Sequence, residues 1–515
     1  MKYPIGLQNF ERIREEGFVY VDKTELMYRL THEGVYYFLS RPRRFGKSLL
    51  VSTLAAYFSG RRDLFKGLAI EGLEQEWVSH PVLLLDLNAD NYQIKSVLEQ
   101  RLGLAISQWE ERYGRNEKEK TLSQRFSGVV ERAAKQTGKR VVILVDEYDK
   151  PLLQAIGNAA LQDEYRSILK AFYGVLKSQD RYIRFALLTG VTKFGKVSVF
   201  SDLNNLQDLS MDEEYQALCG ITGEEIRSCF GQSVQALAAK NRLTVEQTLD
   251  KLRQRYDGYH FVADGIGIYN PFSLLNTFKR LQFGSYWFET GTPSYLVELL
   301  KRDGYALPHL TEEVVADDML NSIDAASMNP IPVIYQSGYL TIKGYDAEFG
   351  EYRLGFPNME VEEGFTRYLL PYYTGLRATG SPFSVANFVT DLRTGQPEQF
   401  MQRMATLFAD TDYKIVGNSE LYFQNAFYLV AKILGFYTRV ERATSNGRMD
   451  LTIETPDYIY IVEFKLDGSA EAALAQINDK GYAHPFTMDR RKLYKIGVNF
   501  SLKKRCIDAW RVEQA

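Results

Sequence analysis

The chain has 515 residues, 45% hydrophobic and 25% charged, with a net charge of −3. That length exceeds what one hydrophobic core organises, so roughly two to four domains are expected. The near-neutral balance excludes a surface coated for nucleic-acid binding and leaves only a local basic patch for that purpose, while no apolar run is long enough for a membrane span and the start Met1-Lys2-Tyr3-Pro4 lacks a signal-peptide core.

Tyr36-Tyr37-Phe38-Leu39 reads as a buried strand, and Leu49, Leu50, Leu54, Tyr57 and Phe58 recur at helical spacing. Between them lies Arg41-Pro42-Arg43-Arg44-Phe45-Gly46-Lys47-Ser48, which closes as a phosphate-binding loop does. A loop between a strand and a helix N-terminus aims backbone N–H groups and the positive dipole end at one point, which suits a polyphosphate. Lys47 is expected to reach the β- and γ-phosphates of ATP and the Ser48 hydroxyl to ligate Mg²⁺. Arg41 stands where such loops usually carry their first glycine, and Arg41, Arg43 and Arg44 are read as added positive charge. Taken alone, the segment also fits a basic turn capping a helix.

Pro81 to Leu87 is a further strand candidate, followed by Arg140-Val141-Val142-Ile143-Leu144-Val145-Asp146-Glu147, an apolar strand ending in two carboxylates. In open α/β sheets, ligands bind at such strand ends. Asp146 is expected to hold Mg²⁺ and Glu147 to polarise the attacking water. The extra strand along the chain between loop and acids marks the ATPase branch that carries a catalytic Glu beside the Mg²⁺ Asp. The strand from Tyr182 to Thr192 puts Thr189 and Thr192 where a polar sensor of the γ-phosphate sits, or where a plain turn residue would. Arg166 and Arg184 are the nearby candidates for an arginine finger; one supplied in trans requires a homo-oligomer.

From about Asp212 to Leu300 helical patterns alternate with turns, with Thr222 and Thr244 as N-caps, in the manner of a helical lid. Met319 to Ile342 reads as a helix, a break at Pro330-Ile331-Pro332 and a strand, a winged-helix-like pattern. Gly, Thr, Ser and Pro concentrate at 375–384 and suggest a boundary. The domains expected are thus 1–215, 216–350 and 396–515, with 351–395 as linker.

The last part carries a second chemistry. Gly447 to Ile453 and Tyr458 to Lys465 read as strands joined by the turn Thr455-Pro456-Asp457. The hairpin brings Asp450 beside Glu463 and Lys465, and alternation puts the last two on one face. Two carboxylates with a lysine suit Mg²⁺ and a water aimed at a phosphodiester. Glu420, ahead of a helical run, reads equally as a further metal ligand or as an acid complementing the helix dipole. Gln476 and Tyr482 follow on the next helix. Arg490, Arg491, Lys492, Lys495, Lys503, Lys504 and Arg505 make the tail locally basic, for a phosphate backbone or as a solvated face. The cysteines Cys219, Cys229 and Cys506 form no C-x-x-C pair and fit a reducing cytoplasm; the five histidines show no metal-ligand spacing.

Together these stretches resemble the bacterial and archaeal family that pairs an AAA-ATPase-like domain with a PD-(D/E)XK nuclease-superfamily domain. The matching residues are Tyr20-Val21-Asp22-Lys23-Thr24, Arg41 to Ser48, Asp146-Glu147-Tyr148-Asp149-Lys150-Pro151, Thr189-Gly190-Val191-Thr192, Tyr269-Asn270-Pro271, and Gly447 to Lys465 with Gln476. The resemblance implies an α/β chain: a P-loop NTPase sheet of AAA type, a helical lid and winged-helix-like region, then a restriction-endonuclease-like domain. It implies ATP and Mg²⁺ as cofactors, nucleic acid as partner with DNA favoured over RNA, no membrane, and Asp450, Glu463 and Lys465 as the nuclease site. Arg43, Arg44, Gly46, Lys47, Ser48, Asp146 and Thr189 form the nucleotide site on this reading. The architecture points to an ATP-regulated nuclease in defence or mobile-element biology. The alternatives are a nucleotide switch whose nuclease-like domain binds a partner without cutting, and a scaffold with both sites vestigial.

Overall fold

The computed structural model describes the chain except residues 194–198, 201–204, 289–295, 298–299, 301–304, 308–309, 311–312, 317–318, 321–328, 374–384, 410–418, 436–438, 446–447 and 505, and except the side chains of 409, 419–424, 439–445 and 448–450. Two compact units result, Met1–Gly291 with Thr311–Val361, and Thr292–Leu310 with Glu362–Ala515.

In the first unit, strands β1 (Tyr36–Ser40), β2 (Val82–Asp86), β3 (Val141–Asp146), β4 (Ile183–Gly190) and β5 (Gln207–Asp208) form a parallel sheet in the order β2-β3-β4-β1-β5. Every residue of β1 and β3 is buried, as strands covered on both faces must be. The extra strand β2 takes the sheet edge, and β4 lies between β1 and β3. All strands run the same way, so the ends of β1, β3 and β4 meet at one edge of the sheet.

Downstream, β6 (Ile221–Thr222) pairs antiparallel with β7 (Ile268–Tyr269) and brackets the helices Gly223–Asn241 and Val245–Tyr256. Thr222 and Thr244 cap these helices, each in a reciprocal capping box with Glu225 or Gln247. Their apolar faces join the helix Pro271–Arg280 in one core that includes Phe230, Leu252, Tyr256, Leu274 and Phe278. The motif around Tyr269 is structural: Asn270 caps that helix through the Ser273 N–H. So is the one at Asp22, which caps Thr24 and accepts from the Ala69 N–H.

The prolines read as a break instead begin a helix, Ile331–Gln336, with Pro332 in the first turn, where its missing N–H costs nothing. The other helix expected there falls largely in 321–328, outside the described residues. Strands β8 (Val314–Ala316), β9 (Thr341–Asp346) and β10 (Glu351–Gly355) form a small antiparallel sheet in the order β8-β10-β9. Residues 351–395, read above as a linker, hold β10 and the helices Met359–Tyr373 and Val385–Arg393; the boundary at 375–384 lies outside the described residues.

Glu360, the second residue of Met359–Tyr373, is buried; it accepts from the Ser273 hydroxyl at 2.9 Å and the Trp287 backbone N–H at 3.0 Å. Burial pushes its carboxyl up to about 7 from 4.5, against hydrogen bonds and Arg255, which pull the other way. A folded pKa raised in this way gives stability that is full below pH 4.5 and lost as pH climbs through about 7. Glu360→Gln should therefore match wild type in urea denaturation near pH 4.5 and exceed it at pH 8 by on the order of 3 kcal/mol. Parallel stability curves for the two proteins would contradict this.

The second unit is built on β11 (Arg439–Ser445), β12 (Arg448–Glu454), β13 (Tyr458–Leu466), β14 (Lys492–Ser501) and β15 (Cys506–Gln514), paired in sequence order. Only β13 and β14 run parallel, joined through the helix Ala470–Asp479. Alternation along β13 divides its faces. Ile459 and Ile461 meet Ile477 of that helix, whereas Phe464 meets Phe427 of the helix Ser419–Gly435 on the other side, ring centres 4.3 Å apart.

Candidate nucleotide and metal sites

After β1 the chain turns through Arg44 and Gly46, both at positive φ (69° and 95°), and enters the helix Lys47–Phe58. Glycine takes that conformation at Gly46 without a Cβ clash. Lys47, first in the helix, is buried; its Nζ donates to the carbonyls of Arg41 at 3.0 Å and Pro42 at 3.3 Å and lies 3.5 Å from Glu147 Oε1. Residues about 100 positions apart thus meet because β4 alone separates β1 from β3. Ser48 is half-buried on the same turn.

Arg41 does not lend its charge to phosphates. It is 1% exposed and donates to the carbonyls of Ser40 at 2.9 Å and Ser210 at 2.8 Å, with its guanidinium 3.9 Å from the Phe261 ring centre. Burial works against the charge, and carbonyls with an aromatic face offset that cost. The cations left on the loop are Arg43, half-buried, and Arg44, exposed with its guanidinium 5.0 Å from the Phe272 ring.

Asp146 ends β3 and is buried; its Oδ1 accepts from the Thr189 hydroxyl at 2.6 Å. Thr189 therefore touches the acid expected to hold Mg²⁺. Glu147 sits at φ 57°, a left-handed conformation that a non-glycine residue adopts under strain. Asp149 holds this geometry. Buried, it accepts from the N–H of Val191 at 3.2 Å and from the N–H and hydroxyl of Thr192 at 2.6 and 2.7 Å, tying the turn after β3 to the end of β4. Burial, with the charge of Glu147, pushes its carboxyl up to about 6. Gly190 sits so close that a Cβ there would come 2.6 Å from both the Asp149 carboxylate and the Tyr148 ring. Of the finger candidates, Arg184 donates to the Thr31 carbonyl and Arg166 to Asp163.

In the second unit, the register sets Asp450 opposite Glu463, as the hairpin reading expects. Glu463 is fully buried, and neither of its carboxylate oxygens has a hydrogen-bond partner among the described residues; Lys465 Nζ stands 3.7 Å away. Lys465 also donates to Gln476 of the helix Ala470–Asp479. That helix approaches because Gly497, the β14 partner of Glu463, has no side chain: a Cβ there would lie 2.2 Å from the Ala470 carbonyl and 2.6 Å from the Leu474 nitrogen. Gly497→Ala should therefore cost about 3 kcal/mol in the unfolding of this unit, by the strain of overpacking, and draw Gln476 away from Lys465. An unchanged chemical-denaturation midpoint would count against it.

A buried carboxylate without donors is costly unless a cation completes it, and carboxylate oxygens suit a hard divalent ion. The Glu463 carboxylate fits a divalent cation on that ground. Glu420 is the second residue of Ser419–Gly435, and Asp450 lies in β12; the side chains of both are outside the described residues. Tyr482 packs on the Ile459, Ile461 and Ile477 cluster. In the basic tail, Arg491 pairs with Glu454 and Asp489, Lys495 with Glu513 and Lys504 with Asp508, which favours the solvated-face reading at these three; Arg505 is outside the described residues.

Fold and sites together define a chain that joins an AAA-ATPase-like domain to a PD-(D/E)XK nuclease-superfamily domain, and the chain belongs to the family with that architecture. A predicted AAA-ATPase family model matches residues 4–200, and a PD-(D/E)XK nuclease superfamily model matches residues 418–510. The chain is also 36% identical, over 99% of both chains, to an uncharacterized protein in the vnfD 5′ region of Azotobacter chroococcum mcd 1. Among the described residues, no helix is long and apolar enough to cross a membrane.

Proposed function

We propose that this protein is a nucleic-acid nuclease under ATP control, with DNA favoured over RNA as substrate. The observation that carries the reading is Glu463, wholly buried, without hydrogen-bond donors among the described residues, beside Lys465. Asp450 and Glu463 would hold Mg²⁺, which when bound would supply charge neutralisation at the scissile phosphate; Glu420 stands on the helix that packs on the opposite face of β13, which favours its other reading, an acid complementing the helix dipole. Lys465, steadied by Gln476, orients the attacking water.

In the first unit, Arg43, Arg44, Gly46, Lys47 and Ser48 receive the triphosphate, with Ser48 and Asp146 as the Mg²⁺ ligands. Lys47 exchanges its loop carbonyls and Glu147 for phosphate oxygens, and the freed Glu147 takes the proton of the attacking water. Thr189 holds Asp146 in place. Arg166 and Arg184 are engaged elsewhere, which supports a finger supplied in trans by a second copy of this chain. The free thiols of Cys219, Cys229 and Cys506 suit a reducing cytoplasm. The architecture suits defence or mobile-element biology.

The test is a cleavage screen on single- and double-stranded DNA and RNA with Mg²⁺ or Mn²⁺, with and without ATP, using wild type, Lys47→Ala and Lys465→Ala. Cleavage lost in Lys465→Ala, and no longer responsive to ATP in Lys47→Ala, supports the reading. A wild type that binds ATP and cuts none of these substrates replaces it with a nucleotide switch that binds a partner without cleaving.

A further inference from the structure

Three later segments grip the phosphate loop. The Gly220 N–H donates to the Phe45 carbonyl at 3.0 Å, and the Trp287 indole Nε1 donates to the Arg43 carbonyl at 3.2 Å. Gly338, at φ +89°, lies so near Pro42 that a Cβ would come 2.5 Å from the ring. A ligand that rearranges this loop must move these contacts or break them.

The contact at Trp287 leads onward. The residue is buried, with its ring 5.0 Å from that of Tyr339, so its indole N–H cannot turn to water when its acceptor moves. The backbone N–H of Trp287 donates to Glu360, which Ser273 also holds. Glu360 stands in the first turn of the helix Met359–Tyr373.

We propose that Trp287 and Glu360 carry the state of the phosphate loop to the first turn of the helix Met359–Tyr373. This rests on the nucleotide control proposed above. Binding of a triphosphate draws Lys47 off the Arg41 and Pro42 carbonyls, the loop backbone resettles, and the Arg43 carbonyl takes the indole with it. The Trp287 N–H then shifts against Glu360, which changes how firmly the first turn of the helix is held. The coupling needs a hydrogen-bonded chain with two arrangements, one for each state of the loop.

The test is amide hydrogen exchange across residues 359–373 in full-length protein, with and without ATP and Mg²⁺, for wild type, Trp287→Phe and Glu360→Gln. ATP should change exchange there by about threefold or more in wild type. Trp287→Phe, which removes the indole donor and shrinks the buried ring, should bind ATP as wild type does and lose the change. Glu360→Gln, which keeps the shape, should blunt it and guards against a Trp287→Phe protein that fails to fold. An ATP response retained in both variants overturns the proposal. So does a wild type that binds ATP without any response in 359–373, while nucleotide binding itself stands. A wild type that binds no ATP overturns both.

Discussion

Glu463→Gln should abolish metal-dependent cleavage, by about 100-fold or more, and at the same time make the protein more stable. The first effect follows from removing a charged ligand from the site. The second follows from the burial of Glu463: among the described residues neither carboxylate oxygen has a donor, the Lys465 ammonium at 3.7 Å offsets only part of the burial cost, and a neutral amide of the same shape lowers it. In metal-free buffer the variant should gain on the order of 1–3 kcal/mol. Mg²⁺ should raise the thermal midpoint of wild type, because it binds the folded state, and leave that of Glu463→Gln unmoved. This readout is independent of any substrate. A variant that is less stable without metal, and still responds to Mg²⁺, would show that Glu463 is held by the Lys465 ammonium rather than by a bound metal ion.

Glu147→Gln should lower ATP hydrolysis by about 10²–10³-fold, the usual effect of losing a general base, while ATP binding is kept or tightened. The tightening has a local cause. Lys47 lies 3.5 Å from the Glu147 carboxylate and is held in part by it. A glutamine leaves the ammonium without its anionic partner, so the triphosphate meets less competition. Fluorescent-nucleotide titration and phosphate release, run on one preparation, separate the two effects. Unchanged hydrolysis would remove Glu147 from the chemistry, and weakened binding would show that it orders the loop.

The parts of each site that are legible in the sequence are local ones. The loop from Arg41 to Ser48 and the strand ending at Asp146 and Glu147 announce themselves through apolar runs and through spacing. Thr222 and Thr244 do so through capping boxes closed within four residues. Glu463 and Lys465 share a face because strand side chains alternate, and the turn at Thr455-Pro456-Asp457 sets the register that puts Asp450 opposite Glu463.

Other features are not legible because their partners are remote. Asp149 binds residues 42 and 43 positions away, Glu360 a backbone N–H 73 positions away, and Trp287 a carbonyl 244 positions away. The run from Asp146 to Pro151 does flag Asp149 as part of a motif, but not what it holds. Arg41 shows the opposite error. A charge beside a phosphate loop reads as electrostatic help, yet its side chain turns into carbonyls of residues far down the chain.

The amino-acid sequence by itself determined the two candidate sites of this protein: a lysine and serine at a helix start with acids ending a buried strand, and an acid–acid–lysine set on a hairpin. Periodicity and turn residues act over a few positions, and these sets need no more than that. Only the tertiary structure decided which charges stay on the loop and which are buried in the frame, and that the phosphate loop is gripped by Gly220, Trp287 and Gly338, far along the chain. Those outcomes depend on packing between distant segments, where burial and hydrogen-bond satisfaction, not local propensity, select the partner.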